Sequence, residues 1–265
     1  MHRFLPSPSA SAVHFGFLTI HFYALSILIG ILVAISLGRH QYHRVGGDPE
    51  VISSLALWAI PSGIIGGRLY HLMTSPDAYF GRNGRPLDAI KIWEGGLGIW
   101  GAISLGALVI YLRVRKNPAI SFGTLADALA PGLFFAQAIG RWGNWFNIEL
   151  FGKPSSAPWA LAVPLSHRPI GYEEFATFHP TFLYESLWCA AGGVFLLMLP
   201  RRRTMVAGNI FLIYVATYCL GRFGIESLRI DSSHAIAGLR INEWVSAAGF
   251  CVATFYLSRT RNAGR

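Results

Sequence analysis

Charge is what this sequence has least of. Of its 265 residues only 13% are charged, against about 25% in an ordinary soluble domain. Apolar and aromatic residues make up 53%, a share that excludes a disordered chain. The mean hydropathy of +0.44 argues against an ordinary soluble enzyme. Cysteine is scarce as well. Cys189, Cys219 and Cys251 each lie inside an apolar run and are too far apart for a metal motif, so neither a disulfide framework nor a zinc site follows. There is no aspartate cluster to hold the metal of a CDP-alcohol phosphotransferase. Internal repeats and low-complexity tracts are missing too.

What is present is length of apolar run. Seven stretches are long enough, or nearly so, to cross a bilayer core, which takes about 20 helical residues. They cover about 14–38, 51–73, 95–112, 122–139, 182–199, 206–225 and 241–257. Each is read as a helix, because a spanning segment must satisfy its own backbone polar groups. The fold class expected is all-α: a polytopic membrane protein with seven transmembrane helices, forming one integral membrane domain over 1–265. The first run is too long for a signal-peptide core and no small-residue cleavage site follows it, so it is expected to stay in the mature protein.

Lysine and arginine set the direction. Arg39 and Arg44, Arg113 with Arg115 and Lys116, Arg201 to Arg203, and Arg259 with Arg261 and Arg265 fall in short, almost purely basic segments on one side. The other side carries its cations spread over longer loops with acids between them. The short basic segments are therefore expected in the cytoplasm, with the N-terminus outside and the C-terminus inside. The net charge of +9 then reads mainly as a topology signal, with anionic lipid headgroups as a secondary partner. Nucleic acid is not an expected partner.

With that direction, the polar residues gather at the outer ends of the spans. Arg68 and His71 end span two; Trp93 and Glu94 precede span three; Tyr184 and Glu185 open span five. Tyr218, Arg222 and Glu226 end span six, Asn242 and Glu243 open span seven, and His21 and Tyr23 lie in the outer half of span one. A charge at mid-helix costs about 2.5–3.5 kcal/mol on insertion scales, so each asks for a reason. Snorkelling or mutual pairing is one: Arg222 and Glu226 are spaced to pair with each other. Thr124 and Asp127 resemble a capping box opening span four. One-sided clustering from several helices points instead to a site open to the outer leaflet, where a lipid substrate would fit. The inner halves are almost free of charge, which disfavours a transport route.

Between spans four and five an external loop of about forty residues, 140–181, is expected, and loops of that length are commonly functional. It opens Gly140-Arg141-Trp142-Gly143-Asn144-Trp145-Phe146-Asn147-Ile148-Glu149. The glycines permit close approach of a bulky anion, Arg141 offers a planar fork for phosphate, and Asn144 and Asn147 can hold further oxygens. The tryptophans and Phe146 equally suit an interfacial turn at headgroup level, with Arg141 snorkelling. Composition leaves both readings open.

This decapeptide resembles the marker G-R-x-G-N-F-x-N-x-E of the prolipoprotein diacylglyceryl transferases of bacterial membranes, with Trp145 in place of Phe. The resemblance spans nearly the whole chain. His21-Phe22-Tyr23 is similar to the family's H-x-Y, Gly66 to His71 to its segment ending span two, and Trp93-Glu94-Gly95-Gly96-Leu97 to its W-x-G-G-[LM]. His179-Pro180 through Tyr184-Glu185 resembles H-P-[ST]-x-x-Y-E. Tyr218, Arg222, Glu226 and Arg229 resemble Y-x-x-x-R-x-x-x-E-x-x-R.

The resemblance implies transfer of the diacylglyceryl group of phosphatidylglycerol to the lipobox cysteine of a prolipoprotein, forming a thioether and releasing glycerol 1-phosphate. It implies a multi-pass protein of the bacterial inner membrane, a site towards the outer leaflet, and no metal or soluble cofactor. Its partners would be phosphatidylglycerol, prolipoprotein signal peptides and membrane lipids. Carried over, Arg141, Arg222 and Glu226 are the catalytic candidates, the arginines on the departing phosphate. Tyr23, Gly140, Gly143, Asn144, Asn147, Glu149, His179, Tyr184, Glu185 and Tyr218 are the substrate-binding candidates, with Glu149, Glu185 and Glu226 anchoring the arginines. One position departs from the pattern: Trp100 stands where many members have histidine. The proton acceptor is then open between His179, His71, Glu185, Glu226 and no enzyme base at all.

Overall fold

The computed structural model describes residues 4–263 except 17, 83, 93, 94, 200–204, 232 and 234. Trp93, Glu94 and Arg201 to Arg203 therefore lie outside the described residues. The chain is mostly helical and clusters into two compact units, residues 1–38 with 126–265, and residues 39–125.

In the first unit, β1 (Ala12–Phe15) and β2 (Leu18–His21) form an antiparallel hairpin that leads into α1 (Phe22–Arg44). The expected first span began at residue 14, and the helix starts at Phe22. Val13, Phe15, Leu18 and Ile20 alternate along two strands, and Gly16 turns between them at a φ of 58°. An apolar run hides that choice, because hydropathy is the same for strand and helix. His21 ends β2 rather than lying in a helix.

A second correction falls on the expected loop. Helix α5 (Phe122–Phe146) runs through residues 140–146, so the first seven residues assigned to loop 140–181 are its last two turns. A helical glycine costs about 1 kcal/mol against alanine, and packing explains one of the two. A Cβ on Gly143 would fall 2.6 Å from the Tyr23 ring. Lower down, Gly30 and Gly132 let α1 and α5 touch backbone to backbone, each with the other helix's carbonyl within 2.9 Å of its would-be Cβ.

After α5 the chain is folded rather than loose. β3 (Leu161–Ala162) pairs with β4 (Thr177–Phe178), and Phe151, Leu161, Val163, Phe178 and Phe182 form a small core joined by Leu5 and Trp145. Then come α6 (Thr181–Met198), α7 (Asn209–Glu226), the short pair β5 (Ala235–Ile236) and β6 (Leu239–Arg240), and α8 (Ile241–Ala263). Phe134, Cys189, Leu196 and Ile210 make the main core between α5, α6 and α7. Asp127 does not serve a capping box on its own helix. Its carboxylate accepts from Gly208 N and Phe211 N, both at 2.8 Å, and so caps α7. Ser121 Oγ accepts from Thr124 N at the start of α5 instead. The free N–H groups of a helix start attract a carboxylate from any element that reaches them.

The second unit contains α2 (Pro49–Thr74), α3 (Asp77–Phe80) and α4 (Ile99–Val114). α2 and α4 pack through glycines: a Cβ at Gly66 would sit 2.3 Å from Gly101 O. Arg68, expected to snorkel or pair, enters no ion pair among the described residues. It is buried and donates to the carbonyls of Ala89, Gly95, Gly96, Asp88 and Lys91, tying the 88–96 segment to α2.

Among the described residues four helices, α1, α2, α5 and α6, are long and apolar enough to cross a membrane. α4 is apolar but has 16 residues. The remaining two expected spans coincide with α7 and α8, and α7 carries Arg222 and Glu226 near its end.

Candidate active site

The sequence places three arginines and two glutamates at the ends of α5, α6 and α7 and the turn after α7; the first unit's packing brings them into contact. Glu185, in the first turns of α6, takes Arg141 Nη2 on one oxygen at 2.6 Å and Arg222 Nη1 on the other at 2.8 Å. Arg222 extends its second nitrogen to Glu226 at 2.6 Å, one helical turn on. Glu226 is fully buried. Its carboxylate also takes Arg240 Nε at 2.8 Å and Asn242 Nδ2 at 3.0 Å, with Arg229 at 3.7 Å. Arg240 and Arg229 then share Asp231, at 2.9 and 2.7 Å.

The other end of this chain runs through amides. Arg141 Nη1 donates to Asn144 Oδ1 at 3.3 Å, and Asn144 Nδ2 donates to Glu149 at 2.8 Å. Asn147 donates to the same glutamate oxygen at 3.3 Å. A carboxylate buried among guanidiniums is tolerable only while each partner stays. Removing one partner of such a pair typically costs about 3–5 kcal/mol. The helical spacing of Arg141 and Asn144, and of Tyr218, Arg222 and Glu226, puts each set on one face. Tyr218 donates to Glu185 at 3.4 Å from that face.

Gly143 and Gly140 differ. The space over Gly143 is filled by Tyr23, whereas a Cβ at Gly140 would meet nothing within 4 Å. The open room beside Arg141 is therefore at Gly140. Trp142 is fixed by a bond to Ser186 Oγ at 3.2 Å, and Ser186 in turn bonds Ala138 O. Trp142 and Trp145 pack on Phe182, and Phe146 on Phe22, so these rings build the wall that holds Arg141 and Asn144 in place.

Not every expected residue joins this constellation. His179 Nδ1 bonds Tyr184 OH at 3.0 Å, and Trp159 donates to the same hydroxyl at 2.9 Å. These three form a group of their own. His71, in the second unit, lies edge-on against Tyr79, and Trp100 is exposed on α4. Conversely, the sequence reading passed over Arg240 and Asp231. Both lie in a short polar stretch that reads as a solvated turn; the spacing Arg229-x-Asp231 was the one local hint.

Outside the helices one titration is clear. Burial opposes ionisation of Asp231, but the hydrogen bond from Arg229 and the charges of Arg229 and Arg240 hold its carboxyl below the usual aspartate value. The four arginines and three carboxylates joined directly by ion pairs leave one positive charge in excess, and Glu149, reached through the amide of Asn144, sets one negative charge beside them.

Residues 10–259 match the family model described as prolipoprotein diacylglyceryl transferase. The chain is 48% identical to phosphatidylglycerol–prolipoprotein diacylglyceryl transferase 2 of Streptomyces coelicolor, over 98% of this chain and 83% of that protein. It is 52% identical to the phosphatidylglycerol–prolipoprotein diacylglyceryl transferase of Cutibacterium acnes, over 96% and 85%. The likeness to the Paenarthrobacter aurescens enzyme of the same name is 45%, over 97% and 84%.

Proposed function

The chain belongs to the prolipoprotein diacylglyceryl transferase family, and from that premise we propose that it moves the diacylglyceryl group of phosphatidylglycerol onto the lipobox cysteine of prolipoproteins. The products are a thioether-linked precursor and glycerol 1-phosphate. The observation that carries this reading is the shared carboxylate: Glu185 sets two guanidiniums, Arg141 and Arg222, side by side.

The chemistry needs such a pair. A phosphate monoester leaves a lipid carbon only if its growing charge is met by fixed donors, and donors already held in place add no reorganisation at the moment of reaction. Arg141 and Arg222 take that role, with the bidentate geometry that arginine offers to phosphate. Glu226 and Glu185 orient them. Asn144, Asn147 and Tyr23 hold the headgroup, and Tyr218 supports Glu185. The open room at Gly140 admits the phosphate. Among the described residues no bond links His179 or Tyr184 to the arginines, and both are kept as substrate-binding candidates. No metal or soluble cofactor enters the proposed reaction, in which the lipid supplies the electrophile and the protein substrate supplies the nucleophile.

Apolar helices and family together make this a membrane protein. We place it in the bacterial inner membrane as a single domain of seven spans, with α4, α7 and α8 joining the four apolar helices. The N-terminus lies outside, the C-terminus in the cytoplasm, and the site faces the outer leaflet. The one-sided basic segments support this orientation.

Incubating the purified protein with labelled phosphatidylglycerol and a lipobox peptide tests the reaction. Release of glycerol phosphate together with lipid on the peptide cysteine is expected. Lipid binding without release would reduce the protein to a headgroup-binding scaffold.

A further inference from the structure

Beside the last turn of α5 lies a cavity of about 360 Å³, walled by Ser9, Ser11, Phe146, Asn147, Glu149 and His167. Its volume falls in the range of small-ligand sites, about 300–1,000 Å³. The wall around Glu149 is held in an unusual shape. Ile148 and Leu150, on either side of it, have φ values of 52° and 58°. A β-branched residue seldom adopts that left-handed conformation, and each instance costs about 1–3 kcal/mol. Backbone of this kind persists where its surroundings enforce it, and here they do. Glu149 N donates to Asn144 O at 3.0 Å, and the amides of Asn144 and Asn147 both point at Glu149 Oε1.

Glu149 also differs from the other acids of the site. Glu185, Glu226 and Asp231 are each bound by two or more arginines. In each of the three both carboxylate oxygens already face a guanidinium. Among the described residues Glu149 enters no ion pair, and its bonds are to amides on one oxygen. His179, for its part, is bonded to Tyr184.

We infer that Glu149 is the proton acceptor of the transfer, and that the cavity beside it admits the cysteine side chain of the acceptor polypeptide. The inference rests on the transferase reading above. The thiol proton passes to Glu149 Oε2 as sulfur bonds the glyceryl carbon. The bond from that carbon to the phosphate oxygen breaks, and its electron pair leaves with glycerol 1-phosphate. Protonated Glu149 then releases its proton to solvent.

The test compares Glu149→Gln with wild type on two lipobox peptides, one carrying cysteine and one carrying selenocysteine, whose selenol is already largely ionised at neutral pH. Glutamine keeps an oxygen for the Asn144 and Asn147 amides but takes no proton. Loss of a general base typically lowers turnover about 10²–10⁴-fold, so a loss of at least about 10²-fold is expected on the thiol peptide. On the selenol peptide the loss should shrink to less than about tenfold. Equal losses on both peptides would overturn the inference and leave Glu149 a positioning residue. Selenol rescue of His167→Gln, with none for Glu149→Gln, would overturn it in favour of the imidazole. If Glu149→Gln does not fold, Glu149→Asp, which keeps a carboxylate but draws it back by one methylene, must lose more turnover on the thiol peptide than on the selenol peptide, and equal losses there would likewise overturn the inference. Wild-type protein that transfers lipid to neither peptide would overturn the functional reading itself, a result separate from any difference between variants.

Discussion

Glu185 meets Arg141 with one carboxylate oxygen and leaves the other for Arg222. The contact with Arg141, at 2.6 Å, joins the end of α5 to the start of α6 and fixes the guanidinium in plane. Arg141→Lys keeps the charge but loses the fork. Turnover is expected to fall at least about 10²-fold, the usual effect of removing a donor aimed at developing charge, while membrane insertion and thermal stability change little. Assays at matched membrane levels check it, with the exposed Arg44→Lys as the silent control. Near wild-type turnover in Arg141→Lys would make Arg141 an ordinary interfacial anchor.

Arg222→Ala removes a cation shared by two buried acids, and transfer should fall by about 10²–10³ with a smaller effect on phosphatidylglycerol binding. If Arg222 did nothing beyond satisfying Glu226, the double variant Arg222→Ala, Glu226→Gln would recover activity. No recovery is expected, because Glu226 also holds Arg240 and Asn242 and Glu185 still lacks its second arginine. Lipid transfer by the single and double variants decides between the two roles.

The two glycines of α5 separate packing from function. Gly143→Ala drives a methyl into the Tyr23 ring, an overpacking that typically costs about 1–3 kcal/mol; both melting temperature and turnover should drop. Gly140→Ala meets no such obstacle and gains helix propensity worth up to about 1 kcal/mol. It should melt no lower than wild type yet lose turnover, since the methyl occupies the room proposed for the phosphate. Melting in detergent alongside the transfer assay reads both.

Asp231 supplies a pH signature. Its carboxyl is depressed in the fold, so it stabilises the folded state above the unfolded aspartate pKa of about 3.9. That contribution is lost as pH falls through the lower folded value. Asp231→Asn should therefore be less stable than wild type at pH 7, by up to about 1 kcal/mol after discounting for the water that still reaches the carboxylate. The gap should close below about pH 4. A gap that persisted into acid would mean that Asp231 acts through packing.

Asp127 tests the cap in isolation. Asp127→Ala leaves Gly208 N and Phe211 N without their acceptor and should lower stability by about 1 kcal/mol. Turnover at low temperature should stay near wild type, because the substitution lies at the opposite end of α7 from Arg222.

Apolar run length made the helices visible in the sequence, and order of motif pointed to the residues of the candidate site. Arg141, Glu185, Arg222 and Glu226 were expected together and are together. What was not legible depended on choices that hydropathy does not record. Strand and helix share an apolar pattern at residues 12–21, and nothing near Gly140 marks a helix end, since both glycines can be carried by one. Asp127 sits at the right spacing for its own helix and serves another, a matter of which helix start comes within reach. An arginine at a helix end suggests a charged partner, but carbonyl oxygens satisfy Arg68. His179 and Tyr184 carried a family pattern and turn out to satisfy one another. Arg240 acts through a residue 14 positions away, a separation at which sequence spacing carries no signal.

The order of these charges along the polypeptide bears on how the protein is made. From N- to C-terminus the linked residues read Arg141, Glu185, Arg222, Glu226, Arg229, Asp231, Arg240, cation and anion in strict alternation. A nascent chain emerges in that order. Each acid therefore appears when a basic partner has already been synthesised. Glu185 can bind Arg141 before α7 exists, and Glu226 arrives with Arg222 one turn ahead of it. No carboxylate of this ion-paired set therefore precedes its first basic partner in the chain.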